Sequence, residues 1–288
     1  MSAADAQAAI RLRRGRRLRL WEHAVYAPIW RPLAAWIGLA LIVLTYIPLV
    51  WLVVMSFSDR PLSGIPHPLT LRWYDELFAT SAWIEPMTDS LWLAFAVGAC
   101  CVLVSVPVGR AIPRMKKRRG GVLLITLLPL FVPGLTMGAA LFLFIRSYMH
   151  FKLGMWSIFV GHMVWALPFA FLLVIVLATR FDHRLLEAAE DLGASAWKRF
   201  WQIEFPIMRP GIVGAGLFGF ILSFNELLRS IFLRGTETTM PIYTWAQASS
   251  HQSNVPIIFG LASLIFGVTL PIIGTFFWIL FSRTGQSR

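Results

Sequence analysis

Charged side chains are scarce in this sequence, and acidic side chains are the scarcest. Only 14% of the 288 residues are charged, with 14 acidic against 26 basic side chains. Soluble domains carry roughly 25% charged residues. Hydrophobic residues make up 57% of the chain, and its mean hydropathy is +0.68. This composition excludes an ordinary soluble domain and indicates a membrane protein.

Cysteine and histidine are too few for a metal or disulfide framework. The sequence has 2 cysteines and 6 scattered histidines. Cys100 and Cys101 are adjacent inside an apolar run, so they form no disulfide framework and lack the spacing of a zinc site. We interpret both as small packing residues and expect no metal in this chain.

Sequence motifs for catalysis are also missing. The chain contains no G-x-x-x-x-G-K-[ST], H-E-x-x-H or G-x-S-x-G arrangement. Gly214 to Gly219 matches the dinucleotide pattern G-x-G-x-x-G, but no strand precedes it and it lies in an apolar run. Small residues there, and at Gly134 and Gly138, instead favour close packing of membrane helices. We therefore expect neither enzyme activity nor a cofactor in this chain.

What the sequence does contain is a series of long apolar runs. They cover Leu33–Phe57, Met87–Gly109, Gly121–Ile145, Met155–Thr179, Gly211–Ile231 and Pro256–Phe281. Each reaches the length of about 20 residues that a hydrocarbon core of about 30 Å requires. The runs predict an all-α membrane protein with six transmembrane helices.

The basic residues predict how these helices are oriented. Most of the 26 Lys and Arg residues fall in the N-terminal segment 1–32 and in alternate connections, and such an excess marks the cytoplasmic side. We expect a basic cytoplasmic tail over 1–32, a periplasmic loop over 58–86 and a short cytoplasmic tail over 282–288. Both termini are then cytoplasmic. A nucleic-acid arm is the alternative interpretation of the arginine-rich tail.

A polar segment, Asp182 to Gly211, interrupts the apolar runs on the predicted cytoplasmic side. Its apolar residues have helical spacing up to Leu192, and Gly193 is a hinge or helix-end candidate. A second amphipathic piece begins near Ser195, and we expect Pro206 to stop it. Two short helices joined at a glycine suit docking to a partner. The alternative is an amphipathic pair lying on the inner leaflet.

This segment resembles a known family. Its motif residues are Glu187, Ala188, Ala189, Gly193, Ile203 and Pro206. They are similar to the EAA motif of ATP-binding-cassette (ABC) importer permeases. The flanking residues resemble those of the spermidine/putrescine branch of that family. The resemblance implies the type I importer permease fold (MetI-like), with a core domain over 87–281 and a cytoplasmic coupling loop at about 181–210. It also implies a multi-pass protein of the bacterial inner membrane.

The resemblance further implies which residues meet the ATPase and which partners assemble. The expected ATPase-coupling residues are Glu187, Ala188, Ala189, Asp191, Gly193, Ala194, Trp197 and Pro206. ATP and Mg would be bound by two copies of a separate ABC ATPase subunit. The other expected partners are a second permease subunit, a periplasmic solute-binding protein and membrane lipid. No nucleic acid is expected.

Polar residues near the ends of two apolar runs are candidates for lining a substrate path. We single out Ser223, Asn225, Glu226, His162 and Trp165. An ionisable group in a span is costly unless it pairs or faces water. Two interpretations of the Glu226 carboxylate stay open. It forms a structural pair with Arg229, or it lines a path that meets a cationic substrate. Thr136 and Met137 are further candidates, with ordinary helix packing as the alternative for each residue.

The resemblance implies a polyamine such as spermidine or putrescine as the substrate. Asn225 departs from the paired acids of that branch, and Arg229 lies nearby, so other solutes stay open. They are an amino acid or GABA, an opine, a phosphonate or a ferric complex. A secondary transporter is a rival class, but it would need coupling-ion sites and paired broken helices. A membrane-embedded enzyme would need clustered acids or histidines inside the spans.

Overall fold

A computed structural model describes residues 30–115, 117–250 and 254–282. Over these ranges the chain is almost entirely helical, and its β structure is limited to an isolated antiparallel bridge between Ser58 and Leu69. The predicted N-terminal tail up to residue 29 and the C-terminal tail from residue 283 lie outside the described residues.

Helices of very different lengths follow one another along the chain. They are α1 (Trp30–Met55), α2 (Arg72–Ala79), α3 (Ile84–Ala111), α4 (Arg119–Leu127), α5 (Gly134–Phe142), α6 (Met155–Arg180), α7 (Arg184–Asp191), α8 (Ala196–Arg199), α9 (Phe205–Phe224), α10 (Leu228–Leu233), α11 (Met240–Ser250) and α12 (Val255–Ser282). A wide π-helical segment, Leu143–Tyr148, extends α5, and another, Phe200–Glu204, joins α8 to α9.

The core of the molecule is a bundle of α3, α6 and α9, whose buried aliphatic side chains form one cluster. Glycines let α3 and α9 approach closely. A Cβ built at Gly98 would lie 2.8 Å from the carbonyl oxygen of Gly216, and one at Gly219 would lie 2.9 Å from the Cα of Gly98. The interpretation of the G-x-G-x-x-G stretch as helix packing is therefore confirmed. Cys101 is a free, fully buried thiol in the same cluster.

Four helical segments among the described residues are long and apolar enough to cross a membrane: Pro32–Met55, Ile84–Ala111, Met155–Arg180 and Ala196–Phe224. A fifth is the pair Arg119–Phe131 and Gly134–Tyr148, whose halves bend by 99°. Proline at 129 and 133 explains the bend, because each proline removes a backbone donor and clashes with the preceding turn. The total of six spans stays a prediction.

The predicted span Gly211–Ile231 has different boundaries in the structure. Only its first part lies in the long helical segment, which begins at Ala196 and ends with α9 at Phe224. After the break, α10 is a separate short helix. Sequence hydropathy joined the two because both are apolar, whereas the helix break is at Asn225 and Glu226.

The predicted periplasmic loop is ordered by packing against α12. Trp73 and Leu77 of α2 are buried, and the Trp73 indole Nε1 donates a 2.7 Å hydrogen bond to the carbonyl of Ser58. The hydroxyls of Ser56 and Tyr74 are 2.6 Å apart, and Ser56 also donates to Ser263 of α12. Two residues of the predicted periplasmic loop therefore pack inside the protein.

Candidate functional site

The loop between α6 and α9, which we call the coupling loop (residues 181–206), is built around one glycine. Gly193 has φ +79°, in the left-handed region that favours glycine. Its N–H donates to the carbonyl of Glu190 at 2.8 Å, and the N–H of Ala194 donates to that of Ala189 at 2.9 Å. These two bonds form a Schellman motif that ends α7. Of the two interpretations of Gly193, a hinge or a helix end, the structure shows the helix end.

A continuous helix follows that turn, and one detail of the sequence interpretation is wrong. Ser195 caps α8 by accepting a hydrogen bond from the N–H of Lys198. The helix then passes through the π-helical segment Phe200–Glu204 into α9, so Pro206 does not stop it. Proline lacks an N–H and crowds the turn before it. The widened π-helical turn directly before Pro206 accommodates both effects.

The coupling loop presents an exposed surface of mixed character. Glu187, Ala188 and Asp191 are exposed, whereas Ala189 and Ala194 are half-buried. Leu192 is 89% exposed and Trp197 is 71% exposed. The Trp197 ring packs edge-on against Trp201, so its exposed face is held in place. Protruding apolar groups beside a carboxylate suit docking to a protein, and their contact with an ATPase stays a prediction.

An ion pair that we did not predict ties the coupling loop to α3. The Arg110 guanidinium donates to both carboxylate oxygens of Glu204, at 2.6 and 2.5 Å, and lies 4.5 Å above the Phe200 ring. The Glu204 side chain is 4% exposed and that of Arg110 is 28% exposed. A second pair, Arg199 with Glu190, links α8 to α7. Both pairs border a cleft of about 530 Å³.

The sequence carried a weak signal for the pair that we missed. Glu204 is an acidic residue directly before the apolar helix α9, and an ionisable group at such a position needs a partner. Arg110 lies 94 residues away, where we interpreted it only as a topology signal. No local spacing rule connects residues that far apart.

The predicted substrate-path residues converge on a second cluster, which we call the polar cluster (His162, Trp165, Ser223, Glu226, Arg229 and Ser230). The buried His162 ring lies 2.8 Å from the Ser223 hydroxyl and 2.7 Å from the Ser230 hydroxyl. Ser230 also donates to the backbone carbonyl of Glu226 at 2.8 Å. α6, the end of α9 and α10 therefore meet through one hydrogen-bonded network.

A buried ion pair occupies the centre of the polar cluster. The Glu226 carboxylate accepts a 2.9 Å bond from Arg229 Nη1 and a 3.0 Å bond from the Arg229 backbone N–H. Only 7% of the Glu226 side chain and 3% of the Arg229 side chain are exposed. The guanidinium carbon lies 4.5 Å from the centre of the Trp165 ring. The pairing that the sequence left open is thus present.

The remaining predicted path residues lie outside the polar cluster. Asn225 is exposed, and its side-chain amide donates back to the carbonyl of Ile221. Thr136 is exposed and Met137 half-buried on α5. Their neighbours Gly134 and Gly138 form the close contact with α10 instead, since a Cβ at either would come within 3.2 Å of Arg229 atoms.

Fold and site together define a helical protein with membrane-spanning segments, an exposed loop between two of them and a buried polar cluster. Residues 101–282 match the family described as the binding-protein-dependent transport system inner membrane component. The chain belongs to this family, the inner-membrane permeases of type I ABC importers. The family assignment made from the motif at Glu187 to Pro206 is confirmed. The roles of individual residues stay predictions.

Two curated relatives cover most of the chain. It is 27% identical over 267 residues to the putrescine transport system permease protein PotI of Escherichia coli, covering 90% of this chain and 93% of that protein. It is 28% identical over 194 residues to the spermidine/putrescine transport system permease protein PotC of Haemophilus influenzae, covering 66% of this chain and 74% of that protein.

A solved structure supports the fold alone. A bacterial ABC transporter involved in the import of the acidic polysaccharide alginate aligns with a TM-score of 0.65 at 14% identity. The alignment covers 88% of this chain and 95% of the transporter chain. At this identity the likeness says nothing about the solute. It does show that the two chains share a helix arrangement.

Proposed function

We propose that this chain forms half of the translocation path of an ATP-driven importer for a polyamine, with putrescine or spermidine as the solute. Two relatives whose names specify these solutes support the proposal, and one of them aligns over 90% of the chain. The observation that carries the transport role is the coupling loop, where α7 ends in a fixed turn at Gly193 beside exposed Glu187 and Trp197.

The proposed mechanism uses the coupling loop as the contact with a separate ATPase. ATP and Mg would be bound there, since this chain has no phosphate-binding loop motif. Glu187 would pair with a basic residue of the ATPase. Because one helix runs from Ala196 to Phe224, closure of the ATPase dimer would move α9 directly and reorient the core. Both chain termini would lie in the cytoplasm beside the ATPase.

The rest of the proposed assembly follows the family. A second permease subunit would complete the path, and a periplasmic binding protein would deliver the solute. The polar cluster would form part of the outer half of the path, with Glu226 as the group that meets positive charge. Only differential contact of the solute with the two states of the permease can shift their populations.

A second candidate solute is a singly charged or zwitterionic amine such as GABA. The buried pairing of Glu226 with Arg229 favours it, because the cluster then has no net charge to attract a polycation. Putrescine and GABA differ in the charge at one end, so comparing their uptake separates the two candidates.

Reconstitution of the complete importer tests the proposal. The two permeases, the ATPase and the binding protein are placed in proteoliposomes, and uptake of labelled putrescine, spermidine and GABA is measured with and without internal ATP. We expect ATP-dependent polyamine uptake that Glu187→Arg abolishes while the variant still inserts in the membrane. Uptake without ATP would refute the importer mechanism, and uptake of GABA alone would refute the polyamine assignment.

A further inference from the structure

The polar cluster contains a preformed site for an organic cation, and the chain's own Arg229 fills it. We propose that Arg229 is a tethered stand-in, and that the ammonium group of the solute displaces it during transport. This inference rests on the proposed function and adds to it a specific residue and a specific step.

Three elements form the walls of the cation site. The Glu226 carboxylate supplies the negative charge, and the Trp165 ring supplies an aromatic face 4.5 Å from the guanidinium carbon. Gly134 of α5 also lies against the guanidinium, since a Cβ there would lie 3.2 Å from Arg229 Nη1 and 3.4 Å from Nη2. A carboxylate combined with an aromatic face is the usual chemistry for binding an ammonium or guanidinium ion.

The guanidinium does not use all the hydrogen bonds available to it. A guanidinium has five N–H donors. Arg229 Nε is buried and finds no acceptor among the described residues, and one guanidinium bond, from Nη1, reaches Glu226. An incompletely bonded ion is displaced at lower cost than a fully bonded one. A permanent structural pair would be expected to satisfy such a buried donor.

The helix that carries Arg229 is a separate short unit. α10 packs against glycines on two neighbouring helices, Gly138 of α5 and Gly161 of α6. It is held at its far end by a 2.6 Å hydrogen bond from the Ser157 hydroxyl to the carbonyl of Leu233. Its near end is held as well, because the Arg229 backbone N–H and the Ser230 hydroxyl both donate to Glu226, so the solute displaces the guanidinium and not the helix. The carboxylate and the ring then remain on the other elements.

A tethered competitor weakens the apparent affinity of the site, because only the fraction of molecules with Arg229 displaced can bind a solute. Removing the competitor must therefore tighten binding. A purely structural ion pair predicts in addition a destabilised variant, since its loss leaves an uncompensated buried carboxylate, and it predicts no competition by Arg229 during transport.

Binding measurements on the purified permease–ATPase complex, without binding protein, test the proposal. The probes are methylguanidinium, which matches the head group of Arg229, and putrescine. In Arg229→Met the unbranched side chain replaces the stem and leaves the head-group space empty. We expect it to bind both probes at least about tenfold more tightly than the wild type. Arg229→Lys, which keeps a tethered cation, should bind as weakly as the wild type.

Further variants test whether the gain in affinity of Arg229→Met arises at the cation site. Adding Glu226→Gln to Arg229→Met should remove the gain, and Trp165→Leu should reduce it while Trp165→Phe keeps most of it. If Arg229→Met does not assemble, Arg229→Gln provides the same neutral change with a polar head. Equal affinities in the wild type and in the neutral variant overturn the proposal, and so does a gain that persists without the Glu226 carboxylate.

Uptake separates displacement from simple binding. A solute held without a competitor leaves slowly, so ATP-driven uptake by Arg229→Met should fall as its binding tightens. Tighter binding with uptake at the wild-type rate would overturn the displacement step. Failure of the wild type to transport putrescine would overturn the proposed solute alone, because methylguanidinium binding tests the cation site whichever solute is carried.

Discussion

Gly193 fixes the shape of the coupling loop through one backbone angle. No atom lies within 4 Å of a Cβ built there, so a side chain would meet no steric obstacle. Its φ of +79° costs an ordinary residue about 1–2 kcal/mol. The other contacts of the turn are two backbone hydrogen bonds, to Ala189 and Glu190. A side chain at position 193 should therefore destabilise the coupling loop and leave the helical core unchanged.

We predict that Gly193→Ala lowers ATP-driven uptake several-fold and that Gly193→Pro abolishes it, with membrane insertion unchanged in both. Proline also removes the N–H that bonds to Glu190. Uptake and membrane yield are measured in parallel. Gly193→Asn is the matched control, because asparagine tolerates a left-handed backbone, and Gly121→Ala controls for adding a methyl group in open space. Wild-type uptake by Gly193→Pro would contradict the prediction.

The sequence predicted which side chains belong to the polar cluster better than it predicted how they are arranged. His162, Ser223, Glu226 and Trp165 were chosen as isolated polar residues in apolar runs, and the structure brings them together. Arg229 was recognised only as a possible partner three residues from Glu226. The close contact with α5 could not be predicted, since it depends on tertiary packing of a helix more than 80 residues earlier in the chain.

Two short elements set the larger geometry, the π-helical segment before Pro206 and the break before α10. Sequence periodicity predicts long regular helices, so it missed both. A π-helical turn has no hydropathy signature, and the break at Asn225 and Glu226 separates two runs of similar composition. The apolar runs predicted the uninterrupted helices α3 and α6 well, since their boundaries differ from the prediction by at most three residues.

The pair Arg110–Glu204 joins the coupling loop to α3, and we predict that breaking it uncouples the two. Glu204→Gln should destabilise the folded complex by about 3 kcal/mol, the low end for a buried pair, because Arg110 can still reach water. Uptake should fall more than the ATPase rate. Thermal stability, uptake and ATP hydrolysis are measured together.

The control for this change is Glu190→Gln, which removes the exposed partner of Arg199 on the same loop. Exposed pairs contribute about 0–1 kcal/mol, so stability should hardly change. The charge-exchanged variant Arg110→Glu with Glu204→Arg should recover part of the lost uptake. If the single change at Glu204 leaves stability and uptake intact, the pair is not a coupling element.

The contact between α3 and α9 depends on the absence of side chains at Gly98 and Gly219. We predict that Gly98→Ala destabilises the protein by about 1–3 kcal/mol, because its Cβ would clash with the backbone of Gly216 and the helices must separate. Thermal unfolding in detergent measures the effect. Gly214→Ala on α9, the partner helix of this contact, is the control, since its Cβ meets a Leu173 methyl at an ordinary 3.5 Å. Equal melting temperatures would contradict the packing argument.

The orientation of the whole molecule in the membrane decides whether the coupling loop can reach an ATPase. The distribution of basic residues predicts that it is cytoplasmic and that the loop between α1 and α3 is periplasmic. Leu192 is 89% exposed at the tip of the coupling loop, and Leu62 is 57% exposed in the other loop. Both positions should accept a cysteine with little effect on the fold.

We predict opposite labelling of Leu192→Cys and Leu62→Cys by a membrane-impermeant thiol reagent. In a background where Cys100 and Cys101 are replaced by alanine, intact spheroplasts should label position 62 and leave position 192 unlabelled. Disruption of the membrane should then expose position 192. The two positions are predicted on opposite sides of the membrane, but both replace an exposed leucine with cysteine. Each therefore controls for the thiol reactivity of the other. Labelling of position 192 in intact spheroplasts would place the loop away from ATP, and an ATPase could not then drive this permease.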